Sequence, residues 1–139
     1  MTEPNNTPAL LLFAHGSSDP AWAAPFLKLQ AIIRKREPTK VVELAFLERT
    51  QPSFDEAVDA LHARGVRQIT VAPLFLAMGG HMRKDLPKLL GDAATRTGIT
   101  FSTLPALGEV DVLLEAIGDW ALSSIPPSPS TNRFRGQLS

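Results

Sequence analysis

Three residues of this chain could share one piece of chemistry: His15, Glu48 and His81. Each closes or follows an apolar run. ALLLFAH (9–15) ends on the first, KVVELAFLE (40–48) on the second, and VRQITVAPLFLA (66–77) leads through Met78, Gly79 and Gly80 to the third. Two imidazoles and a carboxylate suit a divalent transition metal of borderline softness. They suit a proton transfer near neutral pH equally well. A single histidine after a strand is commonly structural, and Glu48 by itself reads as a solvated strand end. The weight lies in coincidence, since two of only three histidines fall at equivalent places. The third, His62 in ALHARG, has no such setting and reads as a surface residue.

The surroundings add detail. His15, Gly16, Ser17 and Ser18 form a small hydroxyl-bearing turn that can cap a helix or offer backbone N–H groups to an anion. Gly79 and Gly80 permit unusual dihedrals or the close approach of a ligand. Asp85 stands four residues after His81, so a helix beginning by 81 lets it accept from a ring N–H and fix the tautomer. Arg83, Lys84 and Lys88 make a basic helix face, with Arg49 opposite, that solvent or a polyanionic ligand can occupy. Neither a G-x-G-x-x-G nor a G-x-x-x-x-G-K-[ST] motif occurs, so no nucleotide cofactor is expected.

What must position these residues is an alternation of strands and helices. The three runs above and ITFSTL (99–104) predict four strands, and runs without strict alternation imply cover on both faces, as in a parallel sheet. Trp22, Phe26, Leu29 and Ile33 recur at helical spacing behind an Asp19 cap and Pro20. Ser53 and Glu56 form a capping box ahead of Phe54, Val58 and Leu61, with Gly65 as the stop. A third helix is predicted from His81 to Thr97, with Leu86, Leu89, Leu90 and Ala93 inward. A fourth, about 109–124, should bury Val110, Leu113, Leu114, Ile117 and Ala121. The order predicts an α/β fold in three layers: a mainly parallel four-stranded sheet with right-handed crossovers and helices on both faces. Carboxyl ends of such strands are where ligands bind.

The bulk properties bound the rest. With 139 residues the chain is expected to be one domain over 9–124, after a flexible 1–8 and before a Pro- and Ser-rich tail, 125–139, read as disordered. Arg133, Phe134 and Arg135 in that tail read as solvated. Fourteen basic residues balance fourteen acidic ones, which argues against a general nucleic-acid binder. There is no cysteine, so thiolate sites and disulfides are excluded. No signal peptide is read in MTEPNNTP, and no apolar run approaches the roughly 20 residues that span a bilayer. A cytoplasmic protein is expected, with neither membrane nor nucleic acid as partner.

The segments AHGSSDP (14–20), AFLERTQPSFDEA (45–57), APLFLAMGGHMRKDLP (72–87) and ALGEVDVLLEAI (106–117) resemble the short, single-domain sirohydrochlorin chelatases of the CbiX type. The specific part is H-G-S after strand one combined with P-L-F-L-x-x-G-x-H-x-x-x-D-x-P after strand three. The resemblance implies a class II chelatase, a lyase that inserts a divalent metal into a tetrapyrrole without ATP, in cobalamin or sirohaem biosynthesis. Cobalt is favoured, with Fe²⁺ or Ni²⁺ as alternatives. It makes His15 and His81 the metal-binding and catalytic residues and places Glu48 at an acidic metal position. Ser17, Arg49, Met78, Gly80 and Arg83 become expected substrate contacts, and Phe75, Leu76, Met78 and Met82 candidate walls. Arg49, Thr50 and Gln51 depart from the family pattern, as do Glu109, Val110 and Asp111 where a His-Pro pair is usual. Larger relatives resemble two such domains fused, which implies a homodimer here.

Two other readings compete. Histidine phosphatases also place His-Gly after a first strand, but they resemble R-H-G and Ala14 stands where their arginine would be. A non-catalytic metal- or tetrapyrrole-binding protein would use the same histidines without turnover.

Overall fold

The computed structural model describes residues 8–128. The expectations for 1–7 and for most of the tail, Arg133 to Arg135 included, lie outside the described residues. Four strands, β1 (Ala9–Ala14), β2 (Val41–Phe46), β3 (Gln68–Pro73) and β4 (Thr100–Thr103), form one parallel sheet in the order β2-β1-β3-β4. Leu11 pairs with Glu43 on one side and Val71 on the other, so β1 is central and covered all round. That is why its run is apolar without alternation. The third run was expected to stay extended to Ala77. It leaves the sheet after Pro73, where Leu74 N–H makes a last bond to the Phe13 carbonyl (2.7 Å). Beyond it the Phe75 and Leu76 carbonyls turn to the amides of Leu107 (2.9 Å) and Gly108 (2.8 Å), which carries the chain over the sheet edge.

One face of the sheet carries the main core. Leu11, Phe13, Ile69, Val71 and Ile99 meet Phe54, Val58 and Leu61 of α2 (Phe54–Ala63) and Leu86 and Ala93 of α3 (Gly80–Thr97). Phe13, fully buried, sets its ring edge-on to Phe54 at 5.4 Å and to Phe75 at 5.9 Å. The capping box forms as read: Ser53 Oγ accepts from Glu56 N–H (3.1 Å) and Glu56 Oε1 from Ser53 N–H (2.8 Å). Arg96 on α3 clips the two helices together through Asp59 (3.0 Å) and Asp55 (3.4 Å).

The other face is covered over β1 and β2. Leu12, Ala14, Val42, Leu44 and Phe46 lie under Trp22, Phe26, Leu29 and Ile33. Asp19 caps as predicted, its Oδ1 accepting from Ala21 N–H (3.0 Å), but the first turn, Pro20–Ala23, is 3-10 before α1 (Ala24–Arg36) begins. Gln30 and Arg34 donate to the Val42 carbonyl at 2.9 and 2.7 Å and fasten α1 to the β2 side.

The fourth helix forms, as α4 (Asp111–Ser123), yet its predicted burial fails: none of its residues is buried. Leu113, Leu114 and Ile117 are about two-fifths exposed and Trp120 is 72% exposed. The 3-10 turn Leu107–Glu109 that precedes it is pinned to the loop after β3, and α4 neighbours that turn rather than a strand. Helical spacing records which stripe needs cover, not which surface provides it.

Candidate active site at the carboxyl edge of the sheet

Because the strands are parallel and nearly in register, Ala14, Phe46 and Pro73 end at one edge. His15 therefore emerges one residue past β1, Glu48 two past β2, and His81 from the first turn of α3, all on the same rim. His15 Nε2 lies 3.2 Å from Glu48 Oε2, both side chains more than half exposed. Arg49 Nε stands 3.9 Å from the same carboxylate oxygen, a long and screened contact.

The backbone fixes that pair. Leu47 N–H donates to the Ala14 carbonyl (2.9 Å) and Glu48 N–H to the His15 carbonyl (3.0 Å), so the ladder continues past the strands. Thr50 Oγ1 accepts from Ser17 N–H and donates to the Ser17 carbonyl, each at 2.9 Å. Gly16 sits between at φ +100°, and a Cβ there would fall 1.7 Å from the Glu48 carbonyl oxygen. Only glycine permits both the dihedral and the approach. The H-G-S turn is thus a clamp on the loop after β2. Ser17, an expected ligand contact, donates its amide to Thr50, and its hydroxyl accepts from Asp19 N–H (3.1 Å) with its own proton left to donate.

His15 and His81 line one cavity of about 290 Å³. Phe75, Met78 and Met82 supply its apolar wall, and Gly79, Gly80 and Asp85 complete the lining. Phe75 meets the His15 ring edge-on at 6.4 Å, so the core and the imidazole share an aromatic contact. Neither Gly79 nor Gly80 has a positive φ, and a Cβ on either would meet nothing within 4 Å. What they offer is open space in the lining rather than special dihedrals. Gly79 caps α3 without a side-chain hydrogen bond, and the first turn of α3 carries no acid, so its positive dipole end is free to face an anion. A second cavity of about 340 Å³ adjoins the first, sharing Leu47 and Asp85 and adding Lys88.

Several expectations need correcting. Asp85 lines the cavity with His81 but makes no hydrogen bond to it among the described residues. Leu76 is 59% exposed and not on the wall, since its backbone is turned to Gly108. Arg49 and Arg83 are exposed and outside the lining. Among the described residues no three His, Asp or Glu side chains stand close enough to hold an ion as a closed set: Glu48 is joined to His15, and His81 shares only the cavity lining with His15. Glu109 and Asp111 are exposed beside α4 and offer no further ligand there. His62 is exposed on α2, as expected. Thr50 was missed as a structural residue, since nothing local ties it to Ser17, 33 positions away.

Chemically, the His15–Glu48 pair has two uses. Its atoms can share a proton, leaving Nδ1 as acceptor. A cation can also replace that proton, because ligands about 2.1 Å from one ion at 90–110° stand roughly 3.0–3.4 Å apart, the spacing already present. In the second use the two donors leave the remaining ion face open.

The CbiX family model matches residues 9–122. A sirohydrochlorin cobaltochelatase of Saccharolobus solfataricus is 40% identical over 82 residues, covering 59% of this chain and 62% of that protein. One from Methanocaldococcus jannaschii is 36% identical over 83 residues, covering 60% of this chain and 58% of its own. The match thus spans about three-fifths of the length of these curated relatives. Among solved structures, a CbiX protein of Marinobacter aquaeolei VT8, named for cobalamin (vitamin B12) biosynthesis, superposes with a TM-score of 0.75 at 35% identity, over 84% of this chain and 95% of that one. SirB of Bacillus subtilis subspecies spizizenii, in complex with cobalt, has the same fold at 21% identity, with a TM-score of 0.72 over 91% of this chain and 58% of that one. The chain belongs to the CbiX family.

Proposed function

We propose that this chain is an ATP-independent chelatase, a lyase that inserts a divalent metal into sirohydrochlorin, with cobalt as the first metal and iron or nickel as slower alternatives. The observation that carries the reading is two imidazoles from distant loops on one apolar-walled cavity. The names of the Saccharolobus and Methanocaldococcus relatives supply the substrate and the metal. Metal insertion needs an ion held loosely enough to leave and an acceptor for the pyrrole protons. His15 with Glu48 holds the ion through two donors while its other face sheds water. His81, on the same cavity and open to solvent, accepts the two pyrrole protons in turn and passes the first to water before taking the second. Phe75, Met78 and Met82 meet the flat ring, and the free end of α3 with Lys88 receives its carboxylates.

A cavity of about 290 Å³ admits an edge of such a macrocycle, below the range of whole drug-sized sites. We therefore read the working form as a homodimer that widens the cleft. A chain without cysteine and without a helix long and apolar enough to cross a membrane among the described residues fits cytoplasmic work.

The test is sirohydrochlorin with Co²⁺, Fe²⁺ or Ni²⁺, followed by absorbance with and without protein. Insertion faster than the spontaneous rate, fastest with Co²⁺, is expected; binding without acceleration would leave only a carrier. His81→Ala should cut insertion at least ~100-fold with Co²⁺ affinity retained. His15→Ala should lose both, and His62→Ala neither. Equal Co²⁺ affinity in His15→Ala and wild type would sink the division of labour.

A further inference from the structure

Among the described residues four have a positive φ, and three of them are the glycines Gly16, Gly65 and Gly98. The fourth is Arg49, at φ +63°. Glycine reaches that region without strain, whereas a residue with a Cβ does not. The turn around Arg49 is fixed from both sides. Glu48 N–H is bonded to the His15 carbonyl (3.0 Å), and Thr50 N–H closes back on the Glu48 carbonyl (2.8 Å). Thr50 Oγ1 is tied in turn to the backbone of Ser17 by two bonds of 2.9 Å. Arg49 lies between two anchored residues, so its dihedral cannot relax. A bend closed over a single central residue at positive φ is rare and strained. Strain of this kind, which glycine would relieve, marks a place where the side chain itself is used. That side chain is 66% exposed, and its one charged neighbour within 4 Å among the described residues is the Glu48 carboxylate, at 3.9 Å. It stands outside the cavity lining, so its partner is Glu48 rather than the ring.

We propose that Arg49 sets how loosely the ion is held. Its guanidinium balances Glu48 before an ion arrives and opposes the dication once one is bound. The inference rests on the reading of His15 and Glu48 as the ion's two donors. An ion about 2.1 Å from Glu48 Oε2 lies within about 6 Å of Arg49 Nε, by the triangle of the two distances. At that separation, in water, one unit charge against a double charge changes affinity about tenfold, and salt and side-chain freedom trim the effect. Two donors beside a fixed positive charge give a hold shallow enough for the ion to pass to a ring that binds it more tightly. Because the repulsion depends on charge alone, it acts on Co²⁺, Fe²⁺ and Ni²⁺ alike. Arg49 therefore governs retention of the metal and not its choice.

The test is Co²⁺ titration of untagged wild type, Arg49→Gln, Arg49→Gly and Arg49→Lys at about 10 mM and about 1 M salt. Arg49→Gln and Arg49→Gly should each bind roughly 3–10-fold more tightly than wild type at low salt, and less than about 2-fold more tightly at high salt. Arg49→Lys keeps the charge and should match wild type at both. The same ratios are expected with Ni²⁺. Unchanged affinity in Arg49→Gln overturns the inference, and so does a gain that survives high salt. A gain confined to Arg49→Gly overturns it too, because the backbone rather than the charge would then be the lever. Glu48→Gln tests the underlying reading and should weaken Co²⁺ binding. If it binds as tightly as wild type, the ion does not sit on that carboxylate and both readings fall. If it weakens while Arg49→Gln is unchanged, only the role of Arg49 falls.

Discussion

The two faces of the sheet are finished to different degrees, and the difference separates what holds the site from what awaits a neighbour. Under α2 and α3, β1 and β3 contribute buried positions, Ile99 adds one just before β4, and Phe101 of β4 packs against them half-buried: Leu11, Phe13, Ile69, Val71 and Ile99 are each 3% exposed or less. Under α1 the buried positions come from β1 and β2, β3 adds the half-buried Ala72, and Ser102 and Leu104 stay exposed. The candidate site is built on the finished side. Phe75, Met78 and Met82 pack onto that core and carry the cavity wall with them, so the cavity rests on the better-packed half of the molecule.

The comparison can be broken by substitutions of graded size. Phe13→Ala should cost most, about 3–5 kcal/mol in denaturant unfolding, because it empties the centre of the finished face and removes two ring contacts. A loss under 1 kcal/mol would mean that this core is not tightly packed. Thr50→Val keeps the shape but removes both bonds to Ser17 and should cost about 1–3 kcal/mol. It should also weaken Co²⁺ binding, since the clamp sets the His15–Glu48 spacing; unchanged affinity would show that the pair needs no clamp. The smallest effect is expected at Arg96. Its guanidinium is held charged, first by the hydrogen bond with Asp59, but it is open to solvent. Arg96→Met should cost only about 0.2–1 kcal/mol, and less at high salt. A large, salt-independent loss would make ion pairing rather than packing the tie between α2 and α3.

Local patterns were legible because their causes are local. The Ser53–Glu56 box, the Asp19 cap and Gly98 as the left-handed stop of α3 each involve residues within one turn. The end of the third run was misread since Leu74 to Ala77 are as apolar as the strand before them. What bends them away is a pair of hydrogen bonds to Leu107 and Gly108, some thirty positions later. The candidate site was legible in its residue types, His15, Glu48 and His81, but not in its pairing. Asp85, the neighbour in sequence, makes no bond to His81, whereas Glu48, 33 positions from His15, lies 3.2 Å from it.

By itself, then, the order of residues determined the alternation of strands and helices, the parallel sheet that this alternation requires, and the edge on which both imidazoles must emerge. Period, capping and crossover handedness are short-range and carry that information along the chain. Only the tertiary structure decided that Glu48 pairs with His15, that Thr50 locks the H-G-S turn, and that α4 finds no cover among the described residues. Those outcomes depend on which distant surfaces come within a few ångströms, and spacing along a sequence has no access to that.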